Sequence, residues 1–167
     1  MKKTIFSFCL IAGIFTAANA QVGTSQINFG VGFDSNDGIP VYAGYEQYIA
    51  EDITVGAEVS YASNDEKFAG YSFDYSTFGI GAIGNYHFDR LLTLPSEWNV
   101  YGGVNLTYFN YSYDDNLPDG YDHSDGDFNL GAQIGARYFF SPNWGVNLQF
   151  NGGSAVSGGR IGATYRF

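Results

Sequence analysis

The sequence predicts an all-β protein, an eight-stranded antiparallel up-and-down transmembrane β-barrel, on three observations. Apolar and polar residues alternate with period two through eight successive segments. The polar face of those segments carries amides, hydroxyls and glycine in place of the Lys and Glu that a water-facing sheet needs. The connections alternate between tight turns and longer, acidic loops.

The N-terminus sets the compartment. Lys2 and Lys3 precede an apolar run from Ile5 to Phe15, and Ala18-Asn19-Ala20 supplies small residues for signal-peptidase cleavage. Residues 1–20 therefore read as a signal peptide and 21–167 as one barrel domain. The run is shorter than the ~20 apolar residues a membrane helix requires. Cys9, the sole cysteine, leaves with the signal, which excludes a disulfide, a thiol nucleophile or a thiolate metal site in the mature chain. Cleavage also removes two of the 7 basic residues, leaving 5 against 17 acidic ones, a net charge of −12. Such a balance argues against nucleic acid, whose recognition needs a basic surface. Aromatics reach 19% and charged residues only 14%, a poor match to a water-soluble domain of this size.

The first segment, 26–34, sets Ile27, Phe29, Val31 and Phe33 against Asn28, Gly30 and Gly32. In the second, 41–49, Val41, Ala43, Tyr45 and Ile49 oppose Tyr42, Gly44, Glu46 and Tyr48. The third places Ile53, Val55, Ala57, Val59 and Tyr61 against Thr54, Gly56, Glu58 and Ser60. In the fourth, 75–88, Phe78, Ile80, Ala82, Tyr86 and Phe88 face away from Gly79, Gly81, Asn85 and His87. The fifth, 98–111, opposes Trp98, Val100, Val104, Leu106 and Tyr108 to Asn99, Tyr101, Asn105 and Thr107. The sixth sets Phe128, Leu130, Ala132, Ile134, Ala136, Tyr138 and Phe140 against Asn129, Gly131, Gln133, Gly135 and Arg137. In the seventh, Trp144, Val146, Leu148 and Phe150 oppose Gly145, Asn147, Gln149 and Asn151. The eighth, 160–167, alternates Ile161, Ala163, Tyr165 and Phe167 with Arg160, Gly162, Thr164 and Arg166. Helical periodicity is sustained nowhere.

Alternation alone fits a soluble sandwich as well as a membrane barrel. The polar face decides between them: its few charges, Glu46, Glu58, Arg137, Arg160 and Arg166, stand among Gly, Asn, Gln, Thr and Ser, as in a confined hydrogen-bonded interior. The apolar face gathers aromatics near the segment ends. Trp98, Tyr138, Phe140, Trp144, Tyr165 and Phe167 mark one end, and Phe33, Tyr61 and Tyr108 the other, like two interfacial girdles. Tight turns at 50–52 and 141–143 contrast with linkers at 34–40, 63–74, 112–127 and 152–159. The connection 89–97 departs from the scheme. It is long for the turn end, carries Leu91, Leu92 and Leu94, and reads as an interfacial turn with a helical fragment and no assigned function.

The closing octapeptide resembles the C-terminal assembly signal of bacterial outer-membrane β-barrels, with Arg160, Gly162, Tyr165 and Phe167 at its four places. That resemblance implies recognition by the barrel assembly machinery. From residue 26 to 167 the chain is similar to the small outer-membrane β-barrel superfamily of the OmpA transmembrane domain and OmpX, and the run 135–145 resembles a C-terminal hairpin of such porin-like proteins. It implies a bacterial outer-membrane protein, a monomer among lipid and lipopolysaccharide, with both termini in the periplasm.

Two constellations invite chemistry. Glu46 and Glu58 on neighbouring segments face Arg137 and Arg160 across a lumen only wide enough for side chains. They read as buried ion pairs forming a structural plug, or alternatively as a gate in a narrow pore. Loop 112–127 holds Asp114, Asp115, Asp119, Asp122, Asp125 and Asp127, oxygen ligands for Ca²⁺ or for bridging to lipopolysaccharide, although the spacing is not that of an EF-hand. A solvated acidic loop is the simpler reading. For catalysis the candidates are thin: His87 stands alone on its strand, and His123-Ser124-Asp125 are sequence neighbours in a loop, not a triad. The expectation is a non-enzymatic surface-interaction scaffold without a cofactor and with an unidentified extracellular partner. A narrow porin-like channel is the alternative, followed by a lipid-modifying enzyme.

Overall fold

The computed structural model describes residues 23–35, 38–68, 71–113 and 124–167. Eight strands follow in order: β1 (Ser25–Asp34), β2 (Val41–Ala50), β3 (Ile53–Phe68), β4 (Tyr71–His87), β5 (Trp98–Tyr113), β6 (Ser124–Phe139), β7 (Trp144–Gly153) and β8 (Gly158–Arg166). Each pairs antiparallel with the next, and β1 pairs with β8 from Gln26↔Arg166 to Asp34↔Gly158, closing the barrel. Closure leaves no sheet edge along this seam.

Glycine makes the seam possible. Gly30 lies opposite Gly162, and a Cβ on Gly30 would lie 2.5 Å from the Gly162 Cα and collide with the Ile161 carbonyl oxygen.

The two faces have the polarity expected from the alternation. Phe128, Leu130 and Phe140 expose about two thirds of their surface outward, at 64%, 65% and 64%, while Glu46 and Arg137 inside are 2% and 1% exposed. A water-soluble protein folds the other way round, so this outer surface suits hydrocarbon. Aromatics pair near the belt ends, with Trp98 against Tyr138 at 5.0 Å and Trp144 against Tyr165 at 4.9 Å, and at the opposite end Tyr108 against Phe128 at 5.0 Å.

The strands exceed the sequence expectation on one side. The sequence predicts linkers at 63–74 and 112–127, yet β3 pairs with β4 out to Phe68↔Tyr71, and β5 with β6 out to Ser112↔Ser124. Alternation carried by polar residues such as Ser63 and Ser112 lacks the apolar contrast that makes a strand legible. The barrel is therefore lopsided, with 16 or 17 residues in each of β3 to β6 and 9 or 10 in each of β7, β8, β1 and β2. Connection 89–97 contains hydrogen-bonded turns and no assigned helix.

Candidate functional site: the polar lumen

Period-two alternation on eight strands sends every second side chain toward the axis, and the register decides which of them meet. In the half of the lumen nearest the chain termini, the turn end, Glu46 of β2 forms an ion pair with Arg137 of β6. The carboxylate is saturated by neutral donors as well. Asn28 Nδ2 donates to Oε1 at 2.7 Å, while Thr54 Oγ1, Asn85 Nδ2 and Gln26 Nε2 donate to Oε2 at 2.8, 3.1 and 3.3 Å. Arg137 donates through Nη1 to Asn99 Oδ1 at 3.1 Å, and its guanidinium lies 4.1 Å from the Tyr101 ring centroid. Its Nε lacks a partner. Burying two charges is tolerable only with this degree of satisfaction.

His87, which stands alone in the sequence, belongs to this network. Asn99 Nδ2 donates to its Nδ1 at 2.8 Å, and its Nε2 lies 3.0 Å from Thr54 Oγ1. Since the Thr54 hydroxyl donates to Glu46, it accepts from His87, which places the imidazole proton on Nε2. The hydrogen bonds thus run in one direction, from Asn99 through His87 and Thr54 to Glu46. Tyr48 and Tyr101 flank the ring at 4.8 and 5.9 Å between centroids. The available signal was parity: His87 lies on the polar face, but only the pairing Thr54↔Asn85 reveals its level against Thr54.

In the other half, the loop end, Arg160 of β8 forms an ion pair with Glu58 of β3 and lies 5.0 Å from the Tyr42 ring centroid. These side chains are 15% and 13% exposed, since they border a cavity of about 30 Å³ lined also by Ser60, Thr107, Asn129 and Asn151. That space suits roughly two ordered waters. Loop 154–157 folds over it. Asn129 Oδ1 accepts from the Ala155 and Val156 amides at 2.9 and 3.1 Å, and Val156 is buried. Between the halves a ladder of amides, Asn105 to Gln133 at 3.2 Å and Gln133 to Asn85 at 2.7 Å, runs along the wall over β4 to β6.

The remaining sequence candidates are dispersed. Gly162 sits in the β1–β8 seam, Tyr165 packs between Trp144 and Phe167, and Phe167 exchanges backbone hydrogen bonds with Ser25. Asp127 is exposed on β6, and Asp125 is on the same strand opposite Tyr111. Asp114, Asp115, Asp119, Asp122 and His123 lie outside the described residues. Among the described residues no cluster of three metal-ligating side chains occurs.

A closed antiparallel barrel with a greasy exterior and a hydrogen-bonded interior defines an integral membrane β-barrel protein. The family model of the outer membrane protein beta-barrel domain matches residues 10–167, and the chain belongs to that family. It is accordingly a small bacterial outer-membrane barrel in a lipid and lipopolysaccharide environment. Among solved structures it is similar to the outer membrane protein OprG from Pseudomonas aeruginosa, at 13% identity and a TM-score of 0.64 over 88% of this chain and 97% of that one. Ail, the attachment invasion locus protein of Yersinia pestis, in complex with the heparin analogue sucrose octasulfate, matches at 15% identity and a TM-score of 0.60 over 87% and 99%. Neisserial surface protein A matches at 19% identity and a TM-score of 0.56 over 86% and 93%. At such identities the likeness is one of fold. No curated protein matches the chain in sequence.

Proposed function

We propose that this protein is a non-catalytic, monomeric surface scaffold, anchored by the barrel and presenting acidic loops outside the cell. The observation that carries this reading is the occupied lumen: the Glu46–Arg137 pair spans the axis from β2 to β6, an amide ladder lines the wall beside it, and the cavity bordering Glu58 and Arg160 holds about 30 Å³. A solute path needs a continuous wet route. In this reading residues 1–20 are removed as a signal peptide, both termini face the periplasm, and Arg160, Gly162, Tyr165 and Phe167 serve the barrel assembly machinery. The tall strands β3 to β6 carry the outer loops on one side of the mouth. A net charge of −12 in the mature chain favours a cationic extracellular partner over a polyanion such as the heparin analogue that Ail binds.

Catalysis is disfavoured because His87, whose imidazole lies in the turn-end half of the lumen, has its two nitrogens committed to Asn99 and Thr54. Planar-bilayer conductance tests the scaffold against the channel. Neither the wild type nor Arg137→Ala is expected to show single-channel steps, and steady conductance from the wild type would replace the scaffold with a pore. The role of the acidic loop is open to calorimetry: no heat with Ca²⁺ is expected for a solvated loop, whereas saturable binding would assign it a metal.

A further inference from the structure

The connection 89–97 is far longer than the other two turn-end links, 51–52 and 140–143. Its backbone is nonetheless tightly folded. Leu92 N donates to Phe88 O at 2.8 Å, Leu94 N to Asp89 O at 2.9 Å and Trp98 N to Pro95 O at 2.9 Å. Thr93 takes a φ of 52°, the one positive value among described non-glycine residues, a left-handed conformation that a β-branched residue adopts only when its surroundings impose it. Arg90 ties the knuckle to the neighbouring β2–β3 turn through ion pairs with Glu51 and with Asp52, the latter at 2.5 Å. The Asp89 carboxylate fixes its base, accepting from Val100 N and Asn99 Nδ2, both at 2.6 Å.

This rigid frame presents Leu91 and Leu92, which are 72% and 56% exposed. A turn facing only water gains nothing from two projecting leucines, and Asn, Asp, Ser or Gly would close it better. The knuckle instead extends an established interface. It follows Phe88, which packs against lipid-facing Tyr86 at 5.0 Å, and it lies at the barrel end that carries Trp98, Tyr138, Phe140 and Trp144.

We propose that this knuckle is a lipid anchor, with Leu91 and Leu92 seated in the headgroup and acyl boundary of the membrane leaflet at the turn end. Glu51, Asp52, Asp89 and Glu97 outnumber Arg90 around them, so a leaflet whose headgroups bear an ammonium group suits the knuckle better than an anionic one. This inference rests on the lipid-facing belt and is independent of the surface role proposed above.

The mature chain contains no cysteine, so a single one at Leu92 can carry an environment-sensitive dye, with Ser96→Cys as a control in the same connection. Both variants are folded into vesicles of phosphatidylethanolamine and phosphatidylcholine containing brominated lipid, and closure is checked by the heat-dependent gel shift of intact barrels. The dye at position 92 is expected to be quenched by brominated lipid and protected from aqueous iodide, the dye at 96 showing the reverse. Replacing the matrix with phosphatidylglycerol is expected to weaken quenching by the brominated lipid. Equal iodide access at both positions overturns the anchor, and protection at 92 from both quenchers overturns it in favour of a protein contact. Leu91→Ser/Leu92→Ser supplies a label-free arm: its urea midpoint is expected to fall in vesicles, and an unchanged midpoint also overturns the proposal.

Discussion

The two halves of the lumen solve one problem in different ways. Each places a glutamate from the β2–β3 hairpin against an arginine from across the barrel, and each sets that arginine against a tyrosine ring. At the turn end the pair is sealed, with four neutral donors on the Glu46 carboxylate and His87 in a directed chain behind it. At the loop end the Glu58–Arg160 pair borders a small cavity beneath loop 154–157. An ion pair's chemistry therefore does not set its worth. What decides is whether a charge stripped of its partner has water within reach.

The largest expected effect follows from breaking the sealed pair. Glu46→Ala leaves Arg137 charged, 1% exposed and without its counter-ion, and is expected to cost about 3–5 kcal/mol in the urea-unfolding free energy of the vesicle-folded barrel. It also strands the amides of Asn28, Asn85 and Gln26. Glu46→Gln/Arg137→Gln removes both charges and is expected to recover a substantial part of that loss. If the double variant is as unstable as Glu46→Gln and Arg137→Gln measured singly and added together, the residual cost is packing and not stranded charge.

A steric probe of the same half comes next. A Cβ on Gly135 would collide with the Tyr101 ring and hydroxyl and lie 2.9 Å from the Leu148 carbonyl oxygen. Tyr101 has little freedom to retreat, since Arg137 lies over its ring and its hydroxyl donates to Gln149 at 2.9 Å. Gly135→Ala is therefore expected to cost about 1–3 kcal/mol by the same measurement. Gly84, whose Cβ would meet nothing within 4 Å, is the control, and Gly84→Ala is expected to change stability by less than about 0.5 kcal/mol.

These contrasts separate what the sequence makes legible from what it hides. Parity is legible, because a lipid-facing strand must keep its apolar set on one side, and so Glu46, Glu58, Arg137 and Arg160 could be placed on the inner face before any coordinates. Level along the axis is not legible. It depends on the stagger between strands, which the pairing Thr54↔Asn85 reveals and no single segment contains. For that reason His87 reads as an isolated inner-face residue in the sequence, and its place beside Thr54 appears only in the structure. Strand length fails for another: beyond the membrane both faces of β3 and β4 can be polar, so Ser63 and Asp74 read as a linker although their backbones pair. The knuckle at 89–97 shows a third limit, because its shape depends on Arg90 reaching Glu51 and Asp52, a contact across 38 or 39 residues.

The loop-end pair, with a smaller effect than the sealed one, completes the comparison. Glu58→Ala leaves Arg160 beside a cavity that can admit water, so its charge is rehydrated where that of Arg137 is not. The expected cost is about 1 kcal/mol, several-fold below that of Glu46→Ala. Salt should sharpen the distinction, since ions screen a partly solvated pair and leave a sealed one almost untouched. Raising ionic strength is expected to shrink the Glu58→Ala cost and to leave the Glu46→Ala cost unchanged. Equal costs and equal salt responses at the two sites would mean that both halves of the lumen are sealed alike, and that loop 154–157 closes the mouth as tightly as the turn-end network closes the base.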